Sequence, residues 1–489
     1  MNSTGLDLYP RSVVSDHGLE YGLAHLPDGQ RLAVLGEAGN LHLAAFEGEH
    51  SEFEQHTLLM CALNHQNAET LRNQLNWLQP ILLGLNTSAG MGDRLGIATP
   101  GHVRAVRGAR GNIAPIFAQQ SIREMQRTNR TPKQVLDDAT WGAFEEGWQV
   151  GMGADADHLK TEADIETCLE AGFTLFTFDP GAYVSQIDPH TTLSQLREQA
   201  EALPGSLQAE ATGLLDRVWD IEGYRIKLDE ATLLKAIIKY GRAIDHVAAL
   251  YRHLENTAGN RPFEVEISMD ETDAHTTAAE HVYISSELRR LGVKWVSFAP
   301  RFIGSFEKGV DYIGDVEAFA QDLAVHSAIA RQLGPYKLSL HSGSDKFSLY
   351  PVFIDKTQGL AHLKTAGTSY LEGLRTIASV DMELFREIYL FALSRFEADR
   401  SSYHVSASIT GAPRPDEIDD WPRLLDQFDA REILHVTFGS VLTEKSADGQ
   451  LLFRDRLMGS LQENRERYFG NLADHFIRHL QPFATQRDA

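Results

Sequence analysis

The chain has 489 residues, 43% hydrophobic and 23% charged, a composition that fits a folded globular protein with one large elaborated domain or two to three ordinary ones. Its 68 acidic and 45 basic residues leave a formal charge of −23; this argues against a nucleic-acid or anionic-membrane partner, whose phosphates need clustered Lys and Arg, but is compatible with a small anionic substrate in a local basic pocket. No run reaches the roughly 18 apolar residues of a membrane span, the start lacks a basic-then-apolar signal pattern, and the two cysteines, Cys61 and Cys168, are too far apart for a metal motif or disulfide framework, so a reducing cytoplasm is expected.

Residues 1–75 read as a small N-terminal lobe. GQRLAVLGEAG and LHLAAFEGE are short strand candidates, and QHTLLMCALN is expected to open a helix. No chemistry stands out there, so packing or contact between copies of the chain is the expected role. From residue 80 a strand–loop–helix rhythm sets in. ILLGLNTSAGMGDRLG runs from an apolar strand into a Gly-rich loop, and NIAPIFAQQSIREMQRT is a strand followed by a helix. TPKQVLDDATWGAFEEGW is helical, with Thr131 and Pro132 at the N-cap and first position. WQVGMGADADHLKT is a third strand entering a polar loop. A helix over 161–171 follows, then FTLFTFDPGAYV, a strand stopped by Pro180 and Gly181.

Residues 184–228 are polar and helix-prone and interrupt the rhythm, so they read as an insertion that can act as a lid. A long helix with apolar residues at 3- and 4-residue spacing leads into three more strands, FEVEISMDETD, KWVSFAPRFIGSFEKGVDY and YKLSLHSGSDKFSLYP. GLAHLKTAGTS is an eighth. Strands near 81, 113, 147, 173, 263, 294, 336 and 361 predict an α/β fold, a (β/α)8 TIM-like barrel over residues 76–380 with its active site at the carboxyl rim. Residues 381–489 are expected to form a mainly helical cap, with YHVSASI and EILHVTFGS as possible strands.

The strand ends carry the chemistry. GMGDRLG does not have the dinucleotide spacing and reads as a tight rim loop, in which Asp93 and Arg94 are candidates for substrate contact. GADADHLK puts Asp157 beside His158; in an extended strand neighbours point to opposite faces, so both can converge only if the strand has ended. Glu264 and Glu266 are spaced by two in an apolar strand, and a carboxylate in a barrel interior is costly unless it pairs with a cation, binds a metal or holds a proton. Arg301 and Glu307 follow the next strand, and His341 ends the one after. Arg301, Lys346 and Lys364 are candidates to bind an anionic group of a substrate. His275, His281 and His326 lie in helical runs and read as structural. Together His158, Glu307 and His341 can hold a divalent metal and leave positions for substrate oxygens. Asp157 and Glu266 are then spare carboxylates able to remove and return a proton across a bound polyol.

At GMGDRLG, GADADHLK, FTLFTFDPGAYV, EVEISMDETDAHTTAAEH, SFAPRFIGSFEKGVDY, LHSGSDKFSLYP and LKTAGTSY the sequence resembles the tagaturonate epimerase family. The resemblance implies an isomerase that interconverts D-tagaturonate and D-fructuronate with a divalent cation (Zn, Mn, Ni or Co). It implies Asp157 as proton acceptor, Glu266 as proton donor, and His158, Glu307 and His341 as metal ligands. Some relatives are associated with the neutral ketohexoses tagatose and fructose. A metal-dependent aldolase or ketose isomerase would use the same ligands, and a non-catalytic sugar-acid-binding protein is the reading from a different class.

Overall fold

In a computed structural model, residues 1–27, 29–203, 211–270, 272 and 274–484 are described. An N-terminal antiparallel sheet has the order β1-β2-β3-β5-β4: β1 (Val14–Asp16), β2 (Leu19–Leu26), β3 (Gly29–Glu37), β4 (Gly48–Phe53) and β5 (His56–Cys61). The run expected to open a helix, HTLLMC, is β5 itself. Its backbone is paired on both sides, to β3 and β4, and such tertiary pairing overrides local propensity. The helix begins only at His65, where the Asn64 side chain accepts from the Asn67 N–H and so caps it.

Eight parallel strands then close a barrel: β6 (Ser88–Met91), β7 (Ala114–Ser121), β8 (Gly153–Leu159), β9 (Leu175–Phe178), β12 (Glu264–Ser268), β13 (Ser297–Ala299), β14 (Lys337–Leu340) and β15 (Ala361–Thr365). Each pairs with the next in this order, and β15 returns to β6. Between β9 and β12 lie a hairpin, β10 (Val218–Ile221) and β11 (Tyr224–Lys227), and a 29-residue helix, Glu230–Ala258, capped by Asp229. The hairpin falls within residues 184–228, the expected insertion, part of which (204–210) lies outside the described residues, and the long helix follows it. The expected (β/α)8 barrel is therefore present, with its first strand displaced. The apolar run near residue 81 precedes β6, and Ile81 and Leu82 stand 45% and 41% exposed. Glu264 accepts the N–H groups of Leu83 (3.0 Å) and Gly84 (2.5 Å), which ties that run across the bottom of the barrel.

The helix over 132–145 starts as expected. Thr131 and Gln134 form a capping box and Pro132 sits in the first turn, which satisfies N–H groups that no helix can pair internally. The C-terminal region is helical where two strands were expected. EILHVTFGS lies in the helices Phe428–Val436 and Phe438–Thr443. YHVSASI is extended, yet it joins no sheet, because carboxylates take the N–H groups that a ladder would use. Glu307 accepts from Ser406, Glu432 from Ala407 and Asp429 from Ser408. The last long helix, Arg465–Leu480, packs on Thr99–Ala109. Gly101 allows that approach, since a Cβ there would lie 2.7 Å from Leu472.

Among the described residues, no helix is long and apolar enough to cross a membrane. Cys61 and Cys168 are both buried free thiols.

Candidate active site

At its carboxyl end the barrel interior is filled by charge. Strand alternation sends Asp155 and Asp157 of β8, Glu266 of β12 and Lys364 of β15 inward, and all four are buried. The Lys364 Nζ lies 2.8 Å from Asp155 Oδ2, 2.9 Å from Asp157 Oδ1 and 3.0 Å from Glu266 Oε1, and donates to Thr177 Oγ1 at 2.7 Å. One ammonium thus faces three carboxylates. Burial works against its charge, but the three carboxylates prevail and hold it well above the usual lysine range. Burial also opposes ionisation of Asp157 and Glu266. Lys364 with His158 and His341 keeps Asp157 low, and Lys364 with His362 and His341 keeps Glu266 low. Asp155 is pushed up to about 6, burial outweighing Lys364 there.

A bulge brings Asp157 and His158 to one side. The pairing of β8 with β9 shifts register between Ala156 and Leu159, and His158 takes φ 51, a left-handed conformation uncommon outside glycine. The extra residue lets both side chains face the mouth, which a regular strand forbids. His158 Nδ1 lies 3.1 Å from Asp179 Oδ2, and His341 Nδ1 lies 3.1 Å from Glu266 Oε1. Each ring is thus held at Nδ1 by a carboxylate, and the two Nε2 atoms face each other at 2.9 Å. With protons on the Nδ1 atoms, two lone pairs would meet head-on, and a cation between them relieves that conflict. Asp157 Oδ1 lies 3.3 Å from His341 Nε2, so Asp157, His158 and His341 form one potential metal-ligating group. The donor set fits a divalent cation.

Glu307 is not in this group. Its Oε2 accepts from the Ser406 N–H at 2.7 Å and hydroxyl at 2.8 Å, and its Oε1 from Ser305 at 3.3 Å. In this arrangement it pins the 403–408 segment over the mouth. Three of the expected substrate-binding residues are also engaged elsewhere. Asp93 is buried and accepts the N–H groups of Leu95, Gly96 and Ala98 at 2.9, 2.8 and 2.7 Å. Arg94 is buried against Glu124 at 2.7 Å and over the Phe438 ring. Lys346 is fully buried and donates to the carbonyls of Glu307, Val310 and Ser344. These are structural contacts. Asp93→Ala is accordingly expected to cost roughly 1–2 kcal/mol in urea unfolding with KM unchanged within twofold; a KM effect without a stability loss would return Asp93 to the substrate.

Arg301, by contrast, lines a cavity of about 160 Å³ with Arg123, Asp270, Lys308, Ser342 and Tyr403. Its lining includes Ser342, which follows His341 in the chain and accepts from Lys308 Nζ at 3.1 Å. Sequence reasoning missed Asp179 and Gln119 and gave Asp155, which stands in GADADHLK, no role. Gln119 Nε2 donates to Asp157 Oδ2 at 3.1 Å. A second potential ligand group, Asp345, His475 and His479, is satisfied internally. His479 Nε2 accepts the Asp345 N–H, its Nδ1 meets the His475 carbonyl, and Asp345 is paired to His475 at 2.7 Å. Its role is to bind the last helix to the loop after β14.

Residues 9–483 match the family model described as tagaturonate epimerase. The tagaturonate/fructuronate epimerase of Thermotoga maritima is 41% identical over 480 residues, covering 97% of this chain and 96% of that protein. The crystal structure of the fructuronate-tagaturonate epimerase from Cohnella laeviribosi in its native form superposes with a TM-score of 0.93 at 38% identity, covering 99% of this chain and 98% of the other. A glycerol complex of the same enzyme superposes equally well at 37% identity.

Proposed function

The chain belongs to the tagaturonate epimerase family, and from that premise we propose that it interconverts D-tagaturonate and D-fructuronate with the help of a divalent cation. The observation that carries the proposal is the pair of imidazoles with facing Nε2 atoms, set directly above a lysine bridging Asp157 and Glu266. His158 and His341 would hold the cation. When bound, it supplies a Lewis acid beside the substrate ketone.

The carbon that is inverted lies one removed from the ketone, so simple α-deprotonation does not reach it. Retro-aldol cleavage does. Asp157, kept ionised by Lys364, takes the proton of the hydroxyl on the inverted carbon. The bond between that carbon and the α-carbon then breaks, and its electron pair passes to the ketone side. The aldehyde fragment turns over, the bond re-forms on the other face, and a proton returns to the new alkoxide. Glu266 is ionised in the resting site, so it can donate only after a proton reaches it. Lys364 provides the route. It gives a proton to Glu266 at 3.0 Å and recovers one from Asp157 at 2.9 Å. General acid–base groups of this kind supply roughly 10²–10⁴-fold each.

A second reading of Asp157 is favoured by its 3.3 Å approach to His341 Nε2, which suits a third metal ligand. Tagatose and fructose are a further proposed pair, since they share the stereocentre. The test incubates the purified protein with Zn, Mn, Ni or Co and both uronates and both ketohexoses, and reads the products by NMR. Interconversion of the uronates is expected, with nearly all turnover lost after EDTA and regained on adding back a cation. Full activity in stripped protein would sink the metal role. Conversion of no sugar under any condition would favour a binding protein.

A further inference from the structure

We propose that the cavity between the ends of β12, β13 and β14 is a carboxylate subsite, in which Arg301 and Lys308 bind the acid group of the uronate and so select sugar acids over neutral ketohexoses. This rests on the epimerase reading above and adds the feature that would set substrate class.

Charge accounting singles this cavity out. In a chain with 23 more acidic than basic residues, most buried or half-buried cations have a carboxylate partner. Arg94 has Glu124, Arg130 has Asp138, Lys239 has Glu280, and Arg431 has Asp345. Arg301 and Lys308 have none within 4 Å among the described residues, although both are half-buried. Arg123 lines the same small cavity, over the Tyr403 ring. The one acid in the described lining is Asp270, and it does not face the cations alone. Ser268 donates to one of its oxygens at 2.5 Å and Ser342 to the other at 3.3 Å. Among the described residues Arg301 and Lys308 meet no carboxylate, and desolvating two cations in that state is costly, so an anion would complete the cavity. Its size, about 160 Å³, suits one end of a small sugar acid and excludes a large anion.

Geometry links the anion to the chemistry. Lys308 reaches Ser342, the residue after His341. Arg301 follows β13 by two residues, and β13 pairs with both the Glu266 and the Lys337–Leu340 strands. A carboxylate held between Arg301 and Lys308 therefore lies at the same end of the barrel as the imidazole pair, next to Ser342, the neighbour of His341 in the chain. Arginine suits this role because its planar fork matches a carboxylate through two bonds. The 403–408 segment, pinned by Glu307, closes the cavity from above through Tyr403 and His404.

The test uses the metal-loaded enzyme and the variants Arg301→Gln, Lys308→Met and, as a rescue, Arg301→Lys. On tagaturonate, Arg301→Gln and Lys308→Met are each expected to lower kcat/KM at least tenfold, carried mainly by KM, with Arg301→Lys recovering part of the loss. The wild-type KM is expected to rise with added salt more steeply than that of Arg301→Gln, because the screened charge pair is missing in the variant. On tagatose, which carries a hydroxymethyl group in place of the carboxylate, the variants are expected to match or exceed the wild type. An equal loss on both sugars, a loss confined to kcat, or no loss on the uronate would overturn the subsite. A wild type that converts no uronate would instead overturn the epimerase reading itself.

Discussion

Lys364→Met is expected to abolish measurable turnover and to cost about 3–5 kcal/mol of stability, the range seen when one partner of a buried ion pair is removed. Among the described residues, the ammonium is the single positive charge that touches Asp155, Asp157 and Glu266 together. Methionine keeps most of the volume, so the loss is chiefly electrostatic, and pH provides the check. Without the ammonium, the buried carboxyls rise above their unfolded values of about 4. The folded variant then binds more protons than the unfolded chain near neutrality, and its stability falls as pH rises through the raised values. The gap to wild type in urea unfolding should therefore narrow at pH 5 relative to pH 8. A gap of constant size would mean that the loss comes from packing. Turnover follows a separate path: Asp157 loses the charge that keeps it ionised, and the route from Asp157 to Glu266 is cut.

The barrel was legible because its signal repeats: short apolar strands, each ending in polar residues, with helical periodicity between them. The elements misread were those whose identity depends on distant partners. HTLLMC looks alike as a helix start or a strand until β3 and β4 flank it, and YHVSASI has strand composition but meets carboxylates in place of a neighbouring strand. The site divides in the same way. Residues with a parity signal were visible, such as Glu264 and Glu266 spaced by two, and Asp155 and Asp157 carry the same spacing. Asp93, Arg94 and Lys346 have the same local appearance as true rim residues. What engages them in the structure is a set of contacts made far along the chain, with Phe438 for Arg94 and the carbonyls of Glu307 and Val310 for Lys346. Asp179 had a fainter signal, a carboxylate at a strand end just before Pro180 and Gly181. Only the closing of β8 against β9 reveals that it orients His158. The bulge that turns His158 inward has no mark in the sequence, since β-bulges are set by pairing rather than by composition.

Asp157→Asn is the second large expected effect, a fall in kcat of roughly 10²–10⁴-fold with the metal content of the purified protein held within twofold of wild type. The amide preserves an oxygen for the Lys364 donor, and Gln119 can turn its unpartnered Oε1 to accept from the new NH2 group, so the local fold should survive, and the change removes the basicity that accepting a proton requires. Metal analysis then separates the two roles the geometry allows. Retention of the cation leaves His158 and His341 as its protein ligands and Asp157 as the base. Its loss, beyond what His341→Ala loses, would make Asp157 Oδ1 a ligand, in keeping with its 3.3 Å approach to the ring, and proton acceptance would fall to Glu266. Glu307→Gln completes the comparison. Its carboxylate is spent on Ser305 and Ser406, so the variant should keep its metal while the 403–408 segment loosens and KM rises. Depletion of metal in that variant would show that Glu307 releases Ser406 to join the two imidazoles.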